Sequence, residues 1–393
     1  MKIKVGKESL FYIAIFLIVL CNNKFLCACG LDSIVEYLAF FIILFYTFVY
    51  RLKTKKFIYF LQLAIVLFMF CIGIFMQNLS VGIKKNLIFS MIILASIAVV
   101  PNGILRRPED LRKLKTSIIC GIVVSTLLAI LSRYGVFTVA VEGMFAYGFD
   151  AGLLHKNYFA YICISLFLFE LILRNYSNKK QNWKSLIWIL LILVANSRSA
   201  WIMLAIVFWI LQNNAFKQSK TTRSIMIFFN IAAIVLVLIL LYQDIALSSE
   251  SFAYRLRGVE NYINYYKGDV FHLVFGNAEM AFRNSGQSYV DNIRSVVGWN
   301  GTVEIAYLNI LIKNGLIGIV GYLLIFLIYI KKIVTLQNLQ NSKVKTLIYT
   351  FLTVFILSGL FEAFVGNINL SYSVISYLFL CNIATGDRFK NEQ

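Results

Sequence analysis

The chain has 393 residues, of which 60% are hydrophobic, 16% aromatic and only 14% charged, and its mean hydropathy is +0.79. Charged residues are about half as frequent as in soluble proteins, which excludes a soluble globular domain. The 37 Lys and Arg against 18 Asp and Glu would point to nucleic acid in a soluble chain, but here they fall between long apolar runs and read as membrane topology.

A spanning helix needs roughly 20 mostly apolar residues, because hydrocarbon offers its backbone amides no partner outside the segment. In chain order the first such runs are residues 10–21, 35–50, 57–76, 85–100, 116–134 and 153–173. The run at 10–21 follows Lys2, Lys4 and Lys7 and lacks a small-residue cleavage site, so it reads as a retained helix rather than a signal peptide. Residues 183–211 come next and decide the topology. A single crossing would put Lys217, Lys220 and Arg223 opposite to Arg174, Lys179, Lys180 and Lys184, against the positive-inside rule. A run that goes in and turns back at Asn196-Ser197-Arg198-Ser199 keeps both groups cytoplasmic, and its short limbs imply a tilted or broken hairpin. Residues 225–242, 303–330, 347–364 and 370–384 complete twelve membrane segments with both termini cytoplasmic. Cytoplasmic segments then hold 25 basic and five acidic residues and the remainder 12 and 13, so orientation absorbs the whole charge excess and no nucleic-acid partner is needed.

The expected fold is therefore an all-α polytopic integral membrane protein of about twelve transmembrane segments with one large outer-face loop. Two prolines and no Gly/Ser-rich linker leave no point of division, so residues 1–393 read as a single membrane domain. Residues 243–302 form the extracytoplasmic loop subdomain, too long for a connector. Interleaved charges and the aromatics Tyr254, Tyr262, Tyr265, Tyr266 and Trp299 suit a sugar-binding surface, and equally a small water-exposed helical subdomain. Seven cysteines imply no disulfide framework: Cys71, Cys120, Cys163 and Cys381 lie in or against apolar runs. Cys27 and Cys29 flank a single alanine and have no His partners nearby, so no metal site is expected.

Several polar residues at the ends of apolar runs are candidates for chemistry. Arg198, at the tip of the hairpin with Asn196, Ser197 and Ser199, has the planar donor fork that suits a phosphate, or else snorkels to anchor the turn. His155, Lys156 and Asn157 stand at the outer start of a helix, where exposed amides favour an anion; a histidine there is also compatible with packing. Arg255 and Arg257 lie two apart, which on a helix points them in nearly opposite directions and on a strand to the same face; at most one is expected to enter a site. Glu304 opens an apolar run as a base, if burial raises its pKa, or as the partner of an arginine. Glu170, Arg133 and Glu362 read as interfacial or packing residues. There is no Walker A sequence, Gly-rich dinucleotide loop or Asp-rich metal motif, which disfavours nucleotide-driven transport and nucleotide-sugar transfer.

Taken together, four segments over roughly residues 145–325 resemble the O-antigen ligase and O-antigen polymerase superfamily of bacterial envelope enzymes. His155-Lys156-Asn157-Tyr158-Phe159-Ala160 is similar to that family's H-x-N-x-x-A element and Asn196-Ser197-Arg198-Ser199-Ala200-Trp201 to its S-R-x-A-W/L element. Tyr254-Arg255-Leu256 followed by Val274-Phe275-Gly276 resembles its arginine-bearing outer loop, and Glu304-Ile305-Ala306-Tyr307-Leu308 through Gly318 its H-N-x-Y-L…G-L-x-G helix. Glu304 replaces the family histidine and Ile305 the following asparagine, while Asn277-Ala278 stands where a second glycine would follow Gly276. The His-to-Glu exchange is atypical of ligases and tilts the resemblance toward a polymerase.

What the resemblance implies is metal-independent, cofactor-free transfer of a glycan from an undecaprenyl-diphosphate donor to a sugar hydroxyl of a second lipid-linked repeat unit, at the outer face of a bacterial cytoplasmic membrane. Arg198 and Arg255 would meet the diphosphate, with Lys156 and Arg257 as weaker candidates. Glu304 would act as base or orienter, and His155, Asn157 and Ser197 would line the substrate or pack between helices. Membrane lipid, a chain-length regulator and a flippase are the partners such an enzyme implies. The alternatives are a ligase that passes the glycan to another acceptor, and a polysaccharide or lipid-linked sugar transporter.

Overall fold

The computed structural model describes residues 8–54, 57–105, 107–139, 147–177, 183–215, 250–281, 297, 303–335 and 342–383. The expected membrane segment at 225–242 and much of the loop at 243–302 lie outside the described residues. The chain is mostly helical. Its first helices are α1 (Ser9–Leu20), α2 (Lys24–Ala28), α3 (Asp32–Thr54), α4 (Phe57–Met76), α5 (Val81–Val99) and α6 (Pro108–Leu131). After a short ribbon follow α7 (Lys156–Ser177), α8 (Trp183–Val194), α9 (Arg198–Ala215), α10 (Glu250–Tyr265) and α11 (Val270–Phe275), then a 3-10 turn at Ala278–Ala281. The chain closes with α12 (Ala306–Thr335), α13 (Ser342–Ser358) and α14 (Ser371–Ile383). Among the described residues six stretches are long and apolar enough to cross a membrane: Asp32–Val49, Phe57–Met76, Val81–Val99, Pro108–Leu131, Lys156–Tyr176 and Ala306–Val334. The protein is a membrane-embedded helical bundle.

Several elements differ from expectation for local reasons. α6 starts eight residues before the run at 116–134, because Pro108 has the fixed φ of a first helical position and the Asp110 carboxylate accepts from the Arg107 amide at 2.9 Å. It stops at Leu131, where Arg133 (φ 62) and Gly135 (φ 74) turn left-handed. The next segment adds a short ribbon to the all-α bundle: β1 (Phe137–Val139) pairs antiparallel with β2 (Tyr147–Phe149), Phe137 opposite Phe149 with ring centroids 5.6 Å apart. Aromatic and β-branched residues favour the extended pair. α13 ends at Ser358, short of the expected 364, so Glu362 falls in the turn that leads to α14.

Residues 183–211 break as the charge pattern requires. Asn196 (φ 50) turns the chain between α8 and α9, and its side chain donates to the Tyr147 carbonyl at 2.8 Å. Phe208, well along α9, meets Phe167 at a similar depth of α7 with centroids 6.0 Å apart, so α9 runs alongside α7 and the chain has reversed. The starts of α7, α9, α12 and α14 therefore gather with the ends of α1, α6, α8 and α13 at one end of the bundle.

Buried amides fasten that end. Asn23 caps α2 through Phe25 and Leu26, and its Nδ2 donates to Ser125 Oγ (2.9 Å) and the Gly152 carbonyl (3.1 Å). Asn22 donates to the Asn369 carbonyl (2.8 Å) and accepts from the Ser371 amide (2.9 Å), tying α1 to α14. Gln77, at the end of α4, donates to the carbonyls of Phe275 (2.6 Å) and Lys313 (2.9 Å) and accepts from the Ala278 amide (2.6 Å). The described part of the loop has no core of its own: Tyr262, Tyr266 and Val297 pack with Val303, Leu308 and Ile312 of the adjoining α12 segment.

α12 is broken at Gly315, whose φ of 63 and ψ of −166 are non-helical. A Cβ there would stand 2.2 Å from the Val274 carbonyl oxygen. Gly315→Ala should therefore lower the stability of the detergent-solubilised protein by at least about 2 kcal/mol, from backbone strain plus overlap. Gly82→Ala, in α5 with nothing within 4 Å of the added carbon, should leave it unchanged or raise it. Thermal unfolding of the two variants checks this; equal melting points would mean that the α11–α12 approach does not constrain the fold.

Candidate functional site

Two helix starts form the site. α7 begins at Lys156 after His155, whose Nδ1 accepts from the Asn157 amide at 3.2 Å and so caps the helix. α9 begins at Arg198 after Ser197, whose Oγ accepts from the Ala200 amide at 3.4 Å and lies 3.4 Å from Ser199 Oγ. The strand residue Gly148 makes their approach possible, because a Cβ on it would stand 2.2 Å from the Ala195 carbonyl and 2.6 Å from Lys156 Cδ. Lys156 is thereby buried beside the turn, close enough to Arg198 for the two charges to repel.

Between these helix starts lies Glu362. Its Oε1 accepts from Asn157 Nδ2 of α7 at 2.5 Å and from Ser199 Oγ of α9 at 3.3 Å. Its Oε2 takes no hydrogen bond among the described residues, and it is not among their buried unpartnered atoms. Burial pushes this carboxyl up to about 7, against the opposing pull of the Arg255 guanidinium, and Glu304 adds a like charge nearby.

Arg255 comes from α10 and donates Nε to Glu304 Oε2 at 2.6 Å, with Nη2 completing the pair to the same oxygen. Nη1 has no partner among the described residues. Glu304 stands just before α12, in extended chain, and is thus committed to the guanidinium. His155 is held down to about 4 by burial and by the charges of Lys156, Arg255 and Lys24, so it stays neutral and keeps Nδ1 as a cap acceptor. Lys24 itself is bridged to the buried Asp150 at 2.5 Å, and Asp150 also accepts from Thr138 Oγ1 (2.7 Å) and the Gly152 amide (2.8 Å).

The structure thus gathers Arg198, Lys156, Asn157, His155, Ser197, Arg255 and Glu304 at one end of the bundle. Arg257 is the exception: α10 leaves it exposed while Arg255, two residues back, turns inward to Glu304. The helical repeat allows only one of the two to enter. Ser197 acts as a helix cap. Glu362, read from sequence as a packing residue, stands in the middle. Glu170 pairs with Lys115 across α6 and α7, whereas Arg133 is exposed. The motif glycines Gly276 and Gly315 meet each other, a Cβ on Gly276 falling 2.6 Å from the Gly315 nitrogen, so those two elements serve packing.

Beside this cluster runs an apolar groove of about 270 Å³, lined by Ile119, Val123 and Leu127 of α6, Phe159 of α7, and Trp188 and Leu191 of α8. Phe159 is one turn along α7 from Lys156, and Leu191 one turn before the α8–α9 break.

Because the Arg255 charge favours the ionised form of Glu362, Arg255→Met should move the Glu362 titration above about 7. Infrared titration of the protonated carboxyl band, assigned by its loss in Glu362→Gln, reads this directly. An unchanged or lowered midpoint would show that the guanidinium does not act on Glu362.

No family model, no curated protein and no solved structure matches the chain.

Proposed function

We propose that the protein polymerises undecaprenyl-diphosphate-linked oligosaccharide repeat units into a surface polysaccharide, as an O-antigen, capsule or exopolysaccharide polymerase of the bacterial cytoplasmic membrane. The observation that carries this reading is the gathering of Lys156, Arg198 and Arg255 with two helix starts at one end of a membrane bundle. Guanidinium forks and an ammonium beside the positive ends of two helix dipoles are what a diphosphate needs, and the neighbouring apolar groove offers an amphiphile a place for its chain. The order of the four sequence elements over residues 145–325 supports the same reading.

In this scheme the acceptor hydroxyl attacks the anomeric carbon of the donor sugar, the bond to the diphosphate breaks, and the electron pair leaves with the diphosphate. Arg198 and Arg255 stabilise the charge that develops there, and Lys156 adds to the field. Arg255 offers Nη1, since Nε and Nη2 are held by Glu304, which fixes the guanidinium plane. No metal takes part. The topology that goes with this function has twelve membrane segments, both termini in the cytoplasm and the 243–302 loop roofing the site from outside. A chain-length regulator and a flippase are its expected partners.

Deletion of the gene, with lipid-linked and surface glycans resolved by gel and mass spectrometry, tests the assignment. A single repeat unit should accumulate on undecaprenyl diphosphate, rescued by wild type but not by Arg198→Ala or Arg255→Ala expressed at normal level. Full-length polymer retained on the lipid would make the protein a ligase, and an unchanged profile would make the polymerase reading untenable. Rescue by both arginine variants would remove the diphosphate assignment.

A further inference from the structure

Glycosyl transfer to a hydroxyl needs a group that takes the hydroxyl proton, and two carboxylates stand at the site. Glu304 is engaged: one of its oxygens accepts two N–H groups of Arg255, so using it as a base would require the ion pair to open. Glu362 is held differently. Both of its donors, Asn157 Nδ2 and Ser199 Oγ, fall on Oε1, which fixes the carboxyl plane from two separate helices. Oε2 has no donor among the described residues, and the residue keeps 7% exposure. A carboxylate with one oxygen anchored and the other open is oriented to receive a proton at a defined place.

We propose that Glu362, acting through Oε2, is the catalytic base, and that Glu304 is a positioning residue for Arg255. This rests on the polymerase reading above. The acceptor oxygen forms its bond to the anomeric carbon as the bond to the diphosphate oxygen breaks; the hydroxyl proton passes to Glu362 Oε2, and the leaving electron pair stays on the diphosphate. The groups that face Glu362 are Asn157, Tyr158 and Tyr161 from α7, Ser199 from α9, Arg255 from α10 and Glu304 ahead of α12. Arg255 opposes protonation and Glu304 favours it, which leaves the carboxyl able to exchange a proton near neutral pH.

The full-length protein in lipid nanodiscs, supplied with the repeat-unit lipid extracted from the deletion strain, provides the test. Glu362→Gln keeps an oxygen for Asn157 and Ser199 but cannot take a proton. It should lose about 100-fold or more in turnover, while binding of undecaprenyl diphosphate, read by native mass spectrometry, stays unchanged. Glu362→Asp should recover part of the turnover with a displaced acid limb in its pH profile. Glu304→Gln should instead weaken undecaprenyl diphosphate binding and, because a like charge is removed, move the acid limb to lower pH while turnover at saturating lipid is kept. Turnover within a few-fold of wild type in Glu362→Gln, or a loss of turnover in Glu304→Gln as large as that in Glu362→Gln with undecaprenyl diphosphate binding intact, would overturn the assignment. A wild-type protein that binds undecaprenyl diphosphate but makes no polymer from the extracted lipid would overturn the polymerase reading instead, so the two failures are distinguishable.

Discussion

Backbone amides freed at helix ends must find partners inside a membrane protein, and the way this chain satisfies them determines where its charged groups go. Four breaks are resolved at one end of the bundle by short polar side chains. His155 and Ser197 cap α7 and α9, Asn23 caps α2 while reaching Ser125 and Gly152, and Asn22 receives the start of α14. Each of these is a local solution to an unpaired N–H, and together they bring the starts of four helices to the same level. The positive ends of the helix dipoles then converge, which favours the acidic Glu362 between α7 and α9 and any anion that approaches Lys156 and Arg198.

That convergence has a cost in charge, because Lys156 and Arg198 repel each other at the same place. Three acids offset it: Asp150 takes Lys24, Glu304 takes Arg255, and Glu362 sits in the field of Arg255 without a direct ion pair. Removing one partner of a buried pair generally destabilises by about 3–5 kcal/mol, because the other charge is left uncompensated. The distribution is uneven in a useful way. Lys24 is tied to the loop that positions the ribbon, so it serves structure, whereas the Arg255 pair joins α10 to the residues just before α12 and leaves Nη1 without a partner among the described residues.

How much of this could be read from the chain depends on sequence distance. The reversal at residues 196–199 was legible because basic segments flank it on both sides, and charge asymmetry acts on whole loops. The division of labour between Arg255 and Arg257 followed from helical geometry, since both lie on one element. Glu362 was not legible: its donor Asn157 is 205 positions away, and between Phe361 and Phe364 it looks like an interfacial anchor. The same holds for Gln77, whose partners lie on α11 and α12. The ribbon at Phe137–Phe149 was hidden for another reason, being short, interrupted and continuous with an apolar run that suits a helix end equally well.

The break in α12 explains why a glutamine remote from the charges belongs to the same arrangement. If α12 were straight, the direction of its first segment, and hence the position of Glu304, would follow from packing along the whole helix. Gly315 interrupts it, so the segment from Ala306 to the break is oriented by what holds it locally. Gln77 binds the Lys313 carbonyl beside the break, the small core of Tyr262, Tyr266, Val303, Leu308 and Ile312 joins it to α10, and the end of α13 ties it directly, the Ala306 amide donating to the Gly359 carbonyl at 2.9 Å and the Tyr307 hydroxyl to the Ile356 carbonyl at 2.6 Å. Since α10 also carries Arg255, both members of the Arg255–Glu304 pair are positioned by the core that α10 shares with the first part of α12. Glu362, Lys156 and Arg198 are set by α7, α9 and the turn after α13. The site lies where these elements meet, and the Ala306–Gly359 hydrogen bond, two residues from Glu304 and three from Glu362, ties the partner of the guanidinium to the turn that carries the second carboxylate.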